Sequence, residues 1–350
     1  MRVLFLYSEL ADYTIACLRA LKSYSPEVEI RVIFYPVNKE APFSFSFDNL
    51  GVFTCISDFP DFKALFREVV DFKPDKVVCS GWSNSWYLLI CGKLRKTAVT
   101  ILCSDNIWKG TAKQRLLAVC SGFTLRRIFE KLWIPGSPQL ELARKLGYDS
   151  AHTLQGFYSC DVDRFSKYYH RYLEKKKAAF PHRFLCVARY IPAKGYDMLW
   201  NAFIEWKRTC ANDWELWCAG TGEEYNSRVI HPAIRHLGFV QKDEWDEIIS
   251  QTGVFILPSH HEPWGVVVHE FACAGYPLLL SCYVGAQSAF LTGDNGFVFD
   301  PQDTSQLIAC FDKIASKSDD QLMQMGSKSF STGGFITPRH WTRTLLTSGT

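Results

Sequence analysis

The feature that most constrains this chain is a rhythm in which short apolar runs of strand length alternate with segments of helix length. In the first half the runs are Val3–Tyr7, Val28–Phe34, Lys76–Ser80, Ala98–Cys103 and Leu132–Ile134, and the helical segments include Ala11–Tyr24, Phe62–Phe72 and Trp86–Arg95. Near-continuous apolar strands separated by helices are what a parallel sheet covered on both faces requires.

The rhythm then starts again. Lys167–Lys177 carries five basic residues among aromatics, and Pro181 follows. A second series comes next: strand Phe184–Ala188, helix Tyr196–Lys207, strands Glu215–Ala219 and Ile234–Val240, helix Glu244–Gln251, strand Val254–Leu257, helix Gly265–Ala274, strand Leu278–Ser281 and helix Thr304–Ile314. At 350 residues the chain exceeds the roughly 250–300 at which one core stops growing. The expectation is two Rossmann-like domains, 1–175 and 180–332, with a helix in 337–350 around Trp341 packing back on the first. Ligands of such sheets sit at the C-terminal ends of the strands, here in a cleft between the domains.

Composition removes several function classes. A net charge of +3 is small for nucleic-acid binding. The 13 cysteines are odd in number and lack Cys-x-x-Cys spacing, which reads as reduced thiols in a cytoplasmic protein. The apolar start, Met1 to Tyr7, is too short for a signal peptide and reads as a first buried strand. No run is long enough to cross a membrane.

The most informative segment is Leu257–Pro277, which runs strand, loop, helix, turn, strand. Pro263 and Gly265 mark the helix start, and Gly275 with Pro277 marks its end. The amides of Gly265, Val266 and Val267 are then orphan donors at a positive dipole end, a site for phosphate that needs no metal. Glu262 precedes the helix and Glu270 lies about five residues in, roughly 7 to 8 Å along the axis. Surface placement of both acids is the ordinary alternative, and the Pro-Trp-Gly and Ala-Gly-x-Pro frame disfavours it.

This segment closely resembles the Glu-x7-Glu signature of retaining glycosyltransferases of family four (glycosyl transferases group 1), whose fold is GT-B, an α/β fold of two Rossmann-like parallel-sheet domains facing a central cleft. The resemblance implies that Glu262 contacts the transferred sugar and Glu270 the ribose. Phe184–Asp197 looks like the family's strand-Arg-x4-Lys-Gly motif, which implies that Arg189 and Lys194 grip the diphosphate; fixed cations stabilise charge on a leaving group. Trp217–Glu223 ends a strand in a Gly-rich turn at Gly220, where backbone can approach a ligand. Ile234–Glu244 is similar to the family's base-reading segment, around Val240. A plain turn is nearly as good a reading of each of these two segments by itself.

The first domain is less informative. Ser8 to Asp12 lacks the paired glycines of many relatives, although Glu9 is still placed toward the donor. Asp105 stands where relatives carry a His-Asp pair near the sugar, with Ser104 in place of the His; a cap or Asx-turn explains Asp105 equally well. Gln155–Phe165 only partly matches the Asn-Gly-Val-Asp-x-x-Phe loop. Asp161 and Asp163 are too few hard ligands for a cation site, and His260 and His261 diverge, so no metal is expected. Lys109–Lys131 holds six Lys and Arg residues near Trp108, Phe123, Phe129 and Trp133, a basic surface of the kind that meets an anionic membrane or a lipid-diphosphate acceptor, although a solvated helix face is the more ordinary reading.

The resemblance implies a retaining, metal-independent hexosyl transfer from a nucleotide diphosphate sugar, a UDP-sugar before a GDP-sugar, to a glycan or lipid-linked acceptor in polysaccharide or glycoconjugate synthesis. The protein is expected in the cytoplasm or on the inner face of a membrane, with no cofactor and no nucleic-acid partner. A nucleotide-sugar 2-epimerase of the same fold and a non-catalytic nucleotide-sugar-binding subunit are the alternatives. An NAD-dependent oxidoreductase ranks last, because no Gly-x-Gly-x-x-Gly follows the first strand.

Overall fold

The computed structural model describes residues 1–36, 45–210 and 212–349. The chain forms two compact units, Met1–Cys160 with Ile336–Thr350, and Asp161–Phe335. Thr350, the end of the expected C-terminal segment, lies outside the described residues.

The first unit is built from β1 (Arg2–Tyr7), α1 (Asp12–Tyr24), β2 (Glu29–Phe34), β3 (Val52–Cys55), α2 (Phe62–Phe72), β4 (Lys76–Ser80), α3 (Ser85–Leu94) and β5 (Val99–Cys103), followed by α4 (Ala112–Cys120), α5 (Leu125–Ile128), β6 (Lys131–Ile134), α6 (Leu140–Lys145) and β7 (Thr153–Gln155). The seven strands are ordered β3-β2-β1-β4-β5-β6-β7 and pair in parallel. The chain order reverses between β1 and β4, so the loops after those two strands diverge to opposite sides and leave a crevice at the C-terminal edge. Val3 and Phe5 point to one face and Leu4 and Leu6 to the other, all fully buried, as a two-sided sheet demands.

The second unit begins with α7 (Val162–Ala178) and continues β8 (Arg183–Val187), α8 (Tyr196–Thr209), β9 (Glu215–Ala219), β10 (Ile234–Gly238), α9 (Trp245–Gln251), β11 (Val254–Leu257), α10 (Val266–Cys273), β12 (Leu278–Ser281), α11 (Gln287–Phe290), β13 (Gly296–Phe299), α12 (Thr304–Ala315) and α13 (Asp319–Gly333). Its six parallel strands are ordered β10-β9-β8-β11-β12-β13, with the reversal between β8 and β11. One face buries Phe184, Phe203, Trp206 and Phe311 in a single cluster. On the other face Phe255 stacks on Phe271 of α10 with ring centroids 4.6 Å apart.

α14 (Pro338–Thr347) returns to the first unit. Its Trp341 stacks on Trp133 with centroids 5.2 Å apart. The buried Lys76 ammonium donates to the Leu345 and Leu346 carbonyls at 2.8 Å, which satisfies helix-end groups that would otherwise lack a partner.

The break expected near Pro181 falls at Cys160 and Asp161 instead. α7 belongs with the second unit because its Phe165 ring meets Phe271 at 6.2 Å and its Asp161 side chain caps it by accepting from the Arg164 amide. Of the basic run, Lys167, Arg171, Lys175 and Lys177 lie on the exposed side of that helix. β3, β7 and β13 carry no strong strand signal: three or four residues each, they lie at the edges of the sheets.

On the same helix Lys176 is buried with its ammonium 4.2 Å from the centre of the Tyr276 ring. Burial, with Lys175 adding to it, pushes the Lys176 pKa down to about 7. The unfolded chain holds this proton up to its ordinary pKa near 10.5, so unfolded molecules bind more protons between pH 7 and 10.5 and stability rises with pH there. Urea unfolding of wild type should gain up to about 1.4 kcal/mol per pH unit in this window relative to Lys176→Met, and parallel pH curves for the two proteins would refute the assignment.

Candidate functional site

The loops after β8, β9, β10, β11 and β12 converge on the C-terminal edge of the second sheet. β8 runs into Ala188, the exposed Arg189 and the buried Tyr190, whose ring stacks on Tyr196 with centroids 4.1 Å apart. The Tyr196 hydroxyl donates within reach of the Ala188 and Ala219 carbonyls, both at 3.1 Å, and Tyr190 shares a 2.9 Å hydrogen bond with His236 Nδ1. This aromatic wedge fixes the backbone that presents Arg189.

At Gly220 the β9 loop lies directly against the backbone of the β8 loop. Its φ is +135°, its amide donates to the Gly238 carbonyl at 2.7 Å, and a Cβ there would lie 1.9 Å from the Ala188 carbonyl oxygen. No larger residue fits without moving the β8 loop. Val240, just past β10, is buried, and the Gln241 amide beside it donates to the Glu244 carboxylate at 2.6 Å.

Lys194 closes a turn at Pro192–Lys194, and Gly195 follows at φ +68°, where a Cβ would sit 2.5 Å from the Pro258 carbonyl oxygen. The His260 and His261 amides both donate to the Ala193 carbonyl, at 2.9 and 3.2 Å. The β8 and β11 loops are therefore one structural piece. Across it the Lys194 ammonium meets Glu262 Oε2 at 2.5 Å, each side chain only 15% exposed. The Glu262 backbone is held in turn, its amide donating to Tyr283 and its carbonyl accepting from Gly285.

α10 then starts from Gly265 at φ +96°, and among the described residues no side chain caps it. Its leading amides are left for a partner from outside the helix. Gly265, Val266 and Val267 are each half-buried, and so is Glu270 one turn further in. This end offers a positive dipole, Lys194 beside it and a carboxylate on each side, a set suited to a diphosphate carrying hydroxyl-bearing groups at its two ends.

The sequence reading left some of these supports unassigned. Ser259 is fully buried with its hydroxyl unpartnered among the described residues, while its carbonyl accepts from Ser281 Oγ. Gly285 sits where a Cβ would lie 2.0 Å from the Pro263 carbonyl oxygen. His269, inside the motif, is a packing residue: it is buried, stacked on Phe290 and hydrogen-bonded to the Gly333 carbonyl at 2.8 Å. Only the Ser-x-x-x-Gly spacing after β12 could have hinted at the Ser281 and Gly285 braces.

In the first unit a pocket of about 160 Å³ lies at the β1 and β4 reversal, lined by Ser8, Glu9, Tyr13, Ser80, Tyr158 and Trp341 among others. The Ser8 amide donates to Ser80 Oγ at 2.8 Å, so the two diverging loops are tied at their roots. Glu9 is exposed on the rim. Asp105 follows β5, and its carboxylate accepts from the Tyr158 hydroxyl at 3.3 Å; Ser104 Oγ, rather than Asp105, takes the Asn106 amide.

Comparison with known proteins agrees with this division. Residues 181–317, all within the second unit, match the family model for glycosyl transferases group 1. The whole chain resembles solved structures: the HepE protein of Anabaena in complex with UDP and glucose (TM-score 0.74, 14% identity, 99% of this chain and 98% of that one), and sucrose-phosphate synthase of Thermosynechococcus elongatus (0.70, 15%, 100% and 98%). A glycosyltransferase of Rickettsia africae is similar too (0.73, 13%, 99% and 97%). The fold is of the GT-B type. In sequence, 77 residues are 35% identical to glycogen synthase of Mycobacterium tuberculosis, a match that spans 22% of this chain and 19% of that enzyme.

The ion pair gives this site a quantitative test. Glu262→Gln and Lys194→Met should each lower stability, because either leaves a largely buried charge without its partner. The double variant should recover part of the loss, with a coupling of about 0.5–3 kcal/mol in urea unfolding. Strictly additive losses would mean that the pair is not formed in solution.

Proposed function

We propose that this protein is a retaining glycosyltransferase that takes its sugar from a nucleotide diphosphate sugar, a UDP-sugar before a GDP-sugar, without help from a metal ion. The observation that carries the reading is the Lys194–Glu262 pair set beside the uncapped start of α10, within the stretch that matches glycosyl transferases group 1. Support for the base comes from the similar Anabaena structure, which holds UDP and glucose.

In this reading the diphosphate lies on the amides of Gly265, Val266 and Val267, with Arg189 and Lys194 offsetting its charge. Glu262 holds sugar hydroxyls, Glu270 the ribose, and backbone near Val240 and Gly220 borders the nucleoside. The bond between the sugar's anomeric carbon and the phosphate oxygen breaks as the acceptor hydroxyl attacks from the same face. The departing phosphate oxygen takes the acceptor's proton, so the anomeric configuration is kept. The protein contributes positioning and charge stabilisation. Glu9 and Asp105 are assigned to the sugar and acceptor side, and the acceptor itself to the glycan or lipid-linked class, for synthesis of a polysaccharide or glycoconjugate.

Thermal shift with EDTA present checks the donor site. A nucleoside diphosphate at about a hundred times its dissociation constant adds nearly 3 kcal/mol, a clear rise in melting temperature. UDP or a UDP-sugar should raise wild type and fail on Glu270→Ala, which should itself fold with the wild-type circular dichroism spectrum. An equal shift in the variant, or stabilisation by NAD alone, would overturn the assignment.

A further inference from the structure

α4 is unusual in this protein because none of its residues is buried. Its inward side is Gln114 and Leu117, continued by Ser121. Gln114 fastens the preceding loop, its amide group accepting from the Lys109 amide at 2.7 Å and donating to the Ile107 carbonyl at 2.8 Å. Leu117 packs against the first unit's core, and Ser121 Oγ donates to the Leu146 carbonyl at 2.7 Å. The helix is therefore seated in one orientation, and its opposite side is fixed facing outward.

That outward side is apolar. Leu116 and Val119, one turn apart on α4, and Phe123 in the short 3-10 turn that follows are 66%, 79% and 81% exposed. Around them Lys109, Lys113, Arg115, Arg126 and Arg127 are all exposed, and the sequence from Asn106 to Phe129 contains no carboxylate. A solvated helix face would carry charge along its outer row, with its apolar side turned inward. Here the outer row is apolar and the cations flank it.

We infer that this surface binds an anionic lipid bilayer, with Leu116, Val119 and Phe123 entering the boundary between headgroups and acyl chains and the five cations lying among the phosphates. The charge pattern selects this occupant. Cations flanking an apolar row match a plane of phosphates above hydrocarbon, and their long stems let the charged heads stay wet while the row goes in. A protein partner fits less well, since three side chains are far short of the roughly 800 Å² per side that a stable protein interface buries. The inference is independent of the transferase reading; if both hold, the first unit sits at the surface where lipid-linked acceptors lie.

The test is co-sedimentation of the full chain with vesicles of phosphatidylcholine alone or with about a third phosphatidylglycerol. Wild type should bind the anionic vesicles at least about tenfold more tightly than the neutral ones, and less tightly as salt rises. Leu116→Ser with Val119→Ser and Phe123→Ser should lose most of the binding, as should Lys113→Gln with Arg115→Gln, Arg126→Gln and Arg127→Gln. Because all these positions are exposed, both variants should keep wild-type circular dichroism and melting temperature. Failure of wild type to sediment with anionic vesicles, or unchanged binding by either variant, would overturn the proposal. So would self-association in solution that the serine variant abolishes, which would make the row a contact between copies of this chain. UDP thermal shift, run without vesicles, fails or succeeds separately.

Discussion

Parallel pairing of β8 with β11 is the constraint on which the second unit depends. Because consecutive strands build outward from this pair in opposite directions, the two loops that leave it part company, one toward β9 and the other toward β12. A crevice opens at that one place on the sheet's edge for topological reasons, before any side chain is chosen. Everything chemically interesting in the unit hangs on it: Arg189 and Lys194 follow β8, while Glu262 and the start of α10 follow β11.

A crevice left by topology is too loose to hold a ligand, and the sequence tightens it with backbone. Gly195 lets the β8 loop touch the Pro258 carbonyl, Gly220 lets the β9 loop touch Ala188, and Gly285 brings the β12 loop against Pro263. Each contact is closer than a Cβ permits, so these glycines are fixed by geometry rather than by composition. The result is a rim whose amides and carbonyls bond to one another across four loops, as in the paired His260 and His261 amides on Ala193. Lys194 and Glu262 complete it: their 2.5 Å contact offsets the two charges and ties the β8 loop to the β11 loop.

This dependence on backbone explains what was legible in the sequence. Strand and helix alternation in both units could be read from apolar runs, because parallel strands covered on both faces are mostly apolar. The residues gathered at the start of α10 could be located because a strand, a proline and glycine frame, and acids at fixed spacing leave a long local signature from Leu257 to Pro277. The supports could not. Tyr190 on Tyr196, Ser281 on Ser259 and Gly285 on Pro263 are contacts between loops far apart in sequence, and each residue looks ordinary alone. Charge does not locate the unit boundary for a related reason: Lys167, Arg171, Lys175 and Lys177 mark the wet side of α7, whereas its allegiance is set by Phe165 and Tyr168 on the other.

The first unit shows the opposite economy. Its crevice at β1 and β4 is tied by side chains, Ser8 to Ser80 and Tyr158 to Asp105, with Trp341 brought in from the far end of the chain. Side-chain closures of this kind can be exchanged for others of similar reach without changing the fold, while a glycine whose Cβ would lie 1.9–2.5 Å from a neighbouring carbonyl oxygen cannot. A pocket made in that way is free to follow whatever ligand the molecule must accept, and by the same freedom it leaves little trace in sequence. The asymmetry is therefore one between a rim whose residues are fixed by backbone contact and a pocket whose lining can vary without changing the fold.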